Sequence, residues 1–179
     1  MIRCVLILLL IQCISCQNEM TDIKAVTDEF NYPIQTTVNA NYLYTERGIK
    51  ATRLEAPLLE RFQNQQSKII ASKGFKMTFY QSNGLEEEAW LTAKSGDYLE
   101  KEAVFNAYGK VKLINIDQEY LLTEKLTFYQ DSDLIITDDW VTISTKNGML
   151  YGRGLESNSA FTSYHILQPT GKFTLNSDE

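Results

Sequence analysis

The chain has 179 residues, 44% hydrophobic and 22% charged, which suits one folded domain and argues against wholesale disorder. A formal net charge of −6 sets the surface against nucleic-acid phosphates, and three prolines with nine glycines exclude a collagenous or low-complexity chain. The single histidine, His165, excludes a multi-histidine metal centre and a histidine-paired catalytic network.

One positive charge, Arg3, precedes an apolar run from Val5 to Ile11. That run is too short to span about 30 Å of hydrocarbon, and it fits the apolar segment of a secretory signal peptide. All three cysteines, Cys4, Cys13 and Cys16, fall here, so the body can hold neither a disulfide framework nor a zinc ribbon. Ser15 directly before Cys16 resembles a bacterial lipobox, with Cys13 standing where Leu is usual. The expectation is a signal peptide over 1–15 and an acylated Cys16 as the first mature residue. A tether follows over 16–38, where Asn18, Asp22, Asp28, Asn31 and Pro33 interrupt each apolar patch, with one loose strand expected near its end and a short helix over Ile23 to Phe30 as the alternative. Acyl chains on Cys16, at about 0.8 kcal/mol per buried CH₂, would hold the body on a membrane surface.

The body is predicted over 39–175, with a short tail at 176–179. Asn41 to Thr45 is a short tyrosine-rich strand, and Ile49 to Ala56 alternates apolar and polar before Pro57. Leu58 to Phe62 reads as a helical turn or a further strand. Phe75 to Tyr80 alternates cleanly into the Ser82-Asn83-Gly84 turn. Strands are then expected over 90–93, 103–108, 111–115, 120–123, 126–129, 134–137, 141–144, 149–151 and 161–167, with turns at 131–133 and 146–148. Strand after strand at about ten-residue spacing, with no long helical period, predicts an all-β protein. Thr123-Glu124 and Thr137-Asp138 each follow an apolar strand as a Thr–acid corner, and Ala93-Lys94 sits comparably. Such corners predict a sheet folded over on itself.

Period-2 alternation puts Met77 and Phe79 on one face with Phe75, and pairs Val111 with Leu113, Leu126 with Phe128, and Val141 with Ile143. These residues can form a filled core or line a slot between the inner faces of a roll; alternation allows both. No GxSxG, Walker, HExxH or CxxC motif is present. Glu86-Glu87-Glu88 reads as a solvated run beside a turn, Asp138-Asp139 as part of a corner, and His165 as structural. Gly152-Arg153-Gly154 reads as a place where two strands approach closely. No catalytic residue, metal or cofactor is expected.

The order of short motifs resembles the LptC family, the periplasmic component of the lipopolysaccharide-export ABC transporter. It runs through Glu46-Arg47-Gly48-Ile49, Leu54-Glu-Ala-Pro57, Phe79-Tyr80…Asn83-Gly84 and Leu91-Thr-Ala93. It continues through Tyr108-Gly109-Lys-Val111, Leu122-Thr-Glu124-Lys-Leu126, Thr137-Asp138…Val141 and Gly152-Arg-Gly154-Leu155. The resemblance implies a twisted antiparallel β-roll, or jellyroll, open at its ends. It implies that lipopolysaccharide arrives from the inner-membrane ABC transporter and passes to an LptA-like bridge protein by edge-strand pairing. It implies a lipid-binding groove containing Met77, Phe79, Leu91, Phe105, Val111, Leu113, Leu126, Phe128, Ile135, Val141 and Ile143, with Gly109, Gly152 and Gly154 as structural glycines. The best-known members are held by an uncleaved transmembrane helix, whereas this chain reads as anchored through Cys16. The periplasmic face of the inner membrane is the implied location, with the outer membrane left open. The competing readings are a structural envelope lipoprotein with a closed β-core and a soluble LptA-like bridge subunit.

Overall fold

A computed structural model of the chain describes residues 32–63 and 67–171. The signal peptide, Cys16, most of the tether and the 176–179 tail therefore lie outside the described residues. The alternating segments form eleven strands: β1 (Gln35–Glu46), β2 (Ile49–Phe62), β3 (Lys68–Ala71), β4 (Phe75–Tyr80), β5 (Glu87–Ala93) and β6 (Ser95–Leu99), then β7 (Val104–Asn115), β8 (Tyr120–Tyr129), β9 (Leu134–Thr145), β10 (Gly148–Asn158) and β11 (Tyr164–Thr170). A 3₁₀ turn, Gln130–Ser132, joins β8 to β9. All pairings are antiparallel within one sheet, ordered β11-β10-β9-β8-β7-β5-β4-β2-β3-β6, with β1 on the free side of β2 and β6 returning to β7.

That return makes the sheet a roll. One half of β7, residues 112–115, pairs with β5, while residues 104–108 pair with β6. Likewise β2 gives residues 52–55 to β4 and 60–62 to β3. The long strands thus cross from one half-sheet to the other at a common crease. The β7–β8 ladder slips between Tyr108 and Val111, the β8–β9 ladder between Leu122 and Thr127, and the β9–β10 ladder between Arg153 and Leu155. Gly109 and Lys110 take positive φ (74° and 49°) at the β7 bend. A bulge of this kind bends a strand and raises its twist.

A chain of hydrogen bonds runs along the crease. Lys94 N–H donates to the Gly109 carbonyl (2.9 Å), and Lys110 N–H donates to Glu124 Oε2 (3.1 Å). Thr137 Oγ1 donates to the Lys125 carbonyl (2.6 Å), and Arg153 Nε donates to the Asp138 carbonyl (3.2 Å). The Thr–acid corners at Thr123 and Thr137, and the Ala93-Lys94 step, all fall on this line. The folded-over sheet expected from them is the observed fold.

Several boundaries differ from the sequence reading. β1 begins at Gln35, inside the segment assigned to the tether, because Gln35 to Val38 pair with Leu58 to Arg61. β2 does not stop at Pro57 but continues to Phe62, with no helical turn. Pro57 lies on the crease, where Asn39 opposite it has φ 51° and the ladder skips, so the missing N–H leaves no ladder bond unmade. The segments 103–108 and 111–115 are one strand, β7, creased at Gly109. The short strands β3 and β6 were not anticipated. The last strand is Tyr164–Thr170; Phe161 instead sits fully buried in the preceding turn at φ 53°.

Candidate functional site

Between the two half-sheets the inner parities of the strands meet. Phe79 of β4 and Phe128 of β8 belong to opposite halves and touch edge to face, centroids 5.1 Å apart. Phe75 and Phe105 make the same contact at 4.8 Å. Such T-shaped pairs place a positive ring edge on a negative ring face. Toward the β9 and β10 side the interior is filled, with Val111, Leu113, Leu126, Ile135 and Ile143 wholly inaccessible.

Beside the aromatic pairs the interior opens into a cavity of about 240 Å³. Its wall is nearly all apolar: Leu54 and Leu59 of β2, Ile69 and Ala71 of β3, Met77 of β4, Phe105 of β7 and Phe128 of β8. Tyr42, Leu43 and Tyr44, near the end of β1, close one side and remain 40–47% exposed. Tyr98 of β6 and Gln130 close the other, joined by a 3.1 Å hydrogen bond from the Tyr98 hydroxyl to Gln130 Oε1. Burial raises the Tyr98 phenol pKa, with Tyr44, Asp131 and Glu100 adding to the shift, so it stays a neutral donor at the rim. A mostly apolar wall, open at its rim and edged by the polar groups of Tyr42, Tyr44, Thr52, Tyr98 and Gln130, suits the tail of an amphiphile.

Of the residues the resemblance pointed to, the structure brings Met77, Phe105 and Phe128 to this cavity. Phe79 sits at its outer end, where a second space of about 590 Å³ begins between the far rims of the two half-sheets. Leu91, Val111, Leu113, Leu126, Ile135, Val141 and Ile143 share the same inner face but are packed into the filled part, at most 3% exposed. The sequence reading missed the contributions of β1, β2, β3 and β6. Tyr42 and Tyr44, and Thr52 and Leu54, carry a readable period-2 signal in the two strands. The β3 and β6 contributions lie in runs too short to show a period.

Two glycines allow close approach, one beside the cavity wall and one at the sheet edge. Gly96 has Asn106 carbonyl oxygen, Phe75 and Phe105 where a Cβ would stand, so only glycine lets both rings approach there. A Cβ on Gly152 would meet Ile166, the Gln168 carbonyl (2.7 Å) and Pro169 Cα (3.1 Å) of β11. His165 is exposed on β11 opposite Glu156. Among the described residues no group of acidic, histidine or cysteine side chains could hold a metal, and no helix is long and apolar enough to cross a membrane.

Comparison with known proteins adds one finding. The family described as lipopolysaccharide-assembly, LptC-related matches residues 4–169, most of the chain. No curated protein matches it.

Proposed function

The chain belongs to the LptC-related family, and from that premise we propose that it carries lipopolysaccharide acyl chains between the inner faces of its β-roll. LptC-related proteins serve lipopolysaccharide transport at the periplasmic side of the inner membrane and are not an enzyme family. The observation that carries the finer reading is the apolar cavity between the half-sheets, open at a rim of tyrosines. Apolar surface in water costs about 25 cal/mol per Å², so a lined slot removes the main obstacle to moving a lipid through an aqueous space. In this reading Cys16 is acylated and holds the protein on the membrane. The free edges of β1 and β11 accept strands from the transporter side and from an LptA-like bridge protein, by β-augmentation.

The test is a photoreactive residue in place of Met77 or Phe128 on the inner face, or of Thr127 on the outer face, in cells exporting lipopolysaccharide. Lipid adducts are expected from the inner positions alone and should vanish when ATP is depleted. The complete burial of Leu113, Leu126 and Ile143 favours a second reading, a closed structural core. That reading stands if no position yields an adduct while the protein is folded and export proceeds.

A further inference from the structure

The cavity and the larger space beyond it adjoin, since Tyr44, Thr52, Phe128 and Gln130 line both. Their linings differ in kind. The inner one is almost wholly apolar, whereas the outer one, about 590 Å³, is bounded by charged side chains from both half-sheets. On one rim the β1–β2 turn contributes Glu46, Arg47 and Lys50, a net positive charge. On the other, the β8–β9 turn contributes Asp131 and Asp133; Glu88 lines the space from β5, on the half-sheet that carries Lys50, near enough to Asp133 to feel its charge. Arg47 and Lys50 form no ion pair with a carboxylate among the described residues, unlike Arg53, Arg61 and Lys146. At the positive rim Lys50 Nζ lies 5.8 Å from the ring of Tyr80. Tyr80 is itself only 8% exposed, and its hydroxyl has no hydrogen-bond partner.

Resting on the lipid-carrier reading, we propose that this outer space is a headgroup vestibule. It fixes the lipid's orientation: the tail points toward β3 and β6, and a phosphorylated sugar lies between the two rims. Lys50 and Arg47, both exposed, receive the phosphate. Asp131 and Asp133 accept hydrogen bonds from sugar hydroxyls and repel a phosphate placed the wrong way round. Charge-assisted hydrogen bonds to a phosphate are strong enough for about a tenfold effect on affinity.

The experiment measures binding of the full chain to lipid A carrying its phosphates and to the same lipid dephosphorylated. It compares wild type with the Arg47→Gln, Lys50→Gln double variant. Both positions are exposed, so folding should survive, and a circular dichroism spectrum checks it. Wild type should prefer the phosphorylated lipid about tenfold, with a preference that falls as salt rises. The double variant should lose that preference while binding dephosphorylated lipid as before. Equal binding of both lipids by wild type, or equal loss of both in the variant, overturns the vestibule while leaving the tail cavity standing. Binding of neither lipid overturns the vestibule and the carrier reading together.

Discussion

At the scale of single residues, the outer face of the roll carries its own polar order. Asp97, Asn106 and Thr127 stand in one row across β6, β7 and β8. Asn106 Nδ2 donates to Asp97 Oδ2 (3.1 Å) and Thr127 Oγ1 donates to Asn106 Oδ1 (2.9 Å). Tyr108 joins the row through Asp97. Burial, then its hydrogen bond and its charge interaction with Asp97, push the phenol from 10.0 up to about 12. A phenol whose pKa is raised on folding adds stability that is complete below its unfolded value. That stability is lost as pH climbs through the folded value. Denaturant midpoints of wild type and Tyr108→Phe should therefore differ at pH 9, with the gap closing between pH 10 and 12. A gap that stays constant across that window would contradict the role given to Asp97. None of this row was legible in the sequence, because polar residues on a solvated face obey alternation whether or not they bond to one another.

At the scale of elements, the crease explains both what alternation revealed and what it hid. The inner residues of β7, β8 and β9 kept their period on each side of the bend, and those of β4 on the one side it occupies, so their shared face was readable. The continuity of β2 was not, because Pro57 reads as a stop until a crease supplies a site with no ladder bond to lose. β3 and β6, at four and five residues, are too short for a period and exist because β2 and β7 need partners on the second half-sheet. Thr137 shows how the crease is held: its hydroxyl donates to the Lys125 carbonyl and accepts from the Asp139 N–H (3.1 Å). Thr137→Val removes both and should cost about 1–3 kcal/mol, measured by urea unfolding. An unchanged midpoint would mean the ladders alone keep the bend. At the edge, Gly152→Val would drive a side chain into backbone atoms of β11 that cannot rotate away. Overpacking of this kind costs about 1–3 kcal/mol. Amide exchange across Tyr164–Thr170 should accelerate selectively, whereas uniform acceleration over all strands would place the damage in the core instead.

At the scale of the whole molecule, the fold class and the order of motifs were legible, and the shape of the cavity was not. Alternation names an inner face but not which part of it is filled. Leu113 and Met77 obey the same rule, yet one is packed on all sides and the other borders an opening. What separates them is the distance between two half-sheets, set by rings such as Phe79 and Phe128 that meet only after the sheet has folded over.

The crease also has a mechanical consequence. Because the bends align, the two half-sheets form covers on one spine, and the gap between their far rims depends mainly on a single angle. Each cover is about five residues, or roughly 17 Å, deep. A rotation of only about 10° on the spine would therefore shift the rim by ~3 Å, close to the difference between a sealed seam and a slit. β11 pairs with β10 on both sides of that spine, at Tyr151–Arg153 and at Leu155–Ser157, and β1 does so along β2. A strand laid along either free edge would lie across the spine like a splint, so docking at the edge and the width of the slit become one mechanical variable.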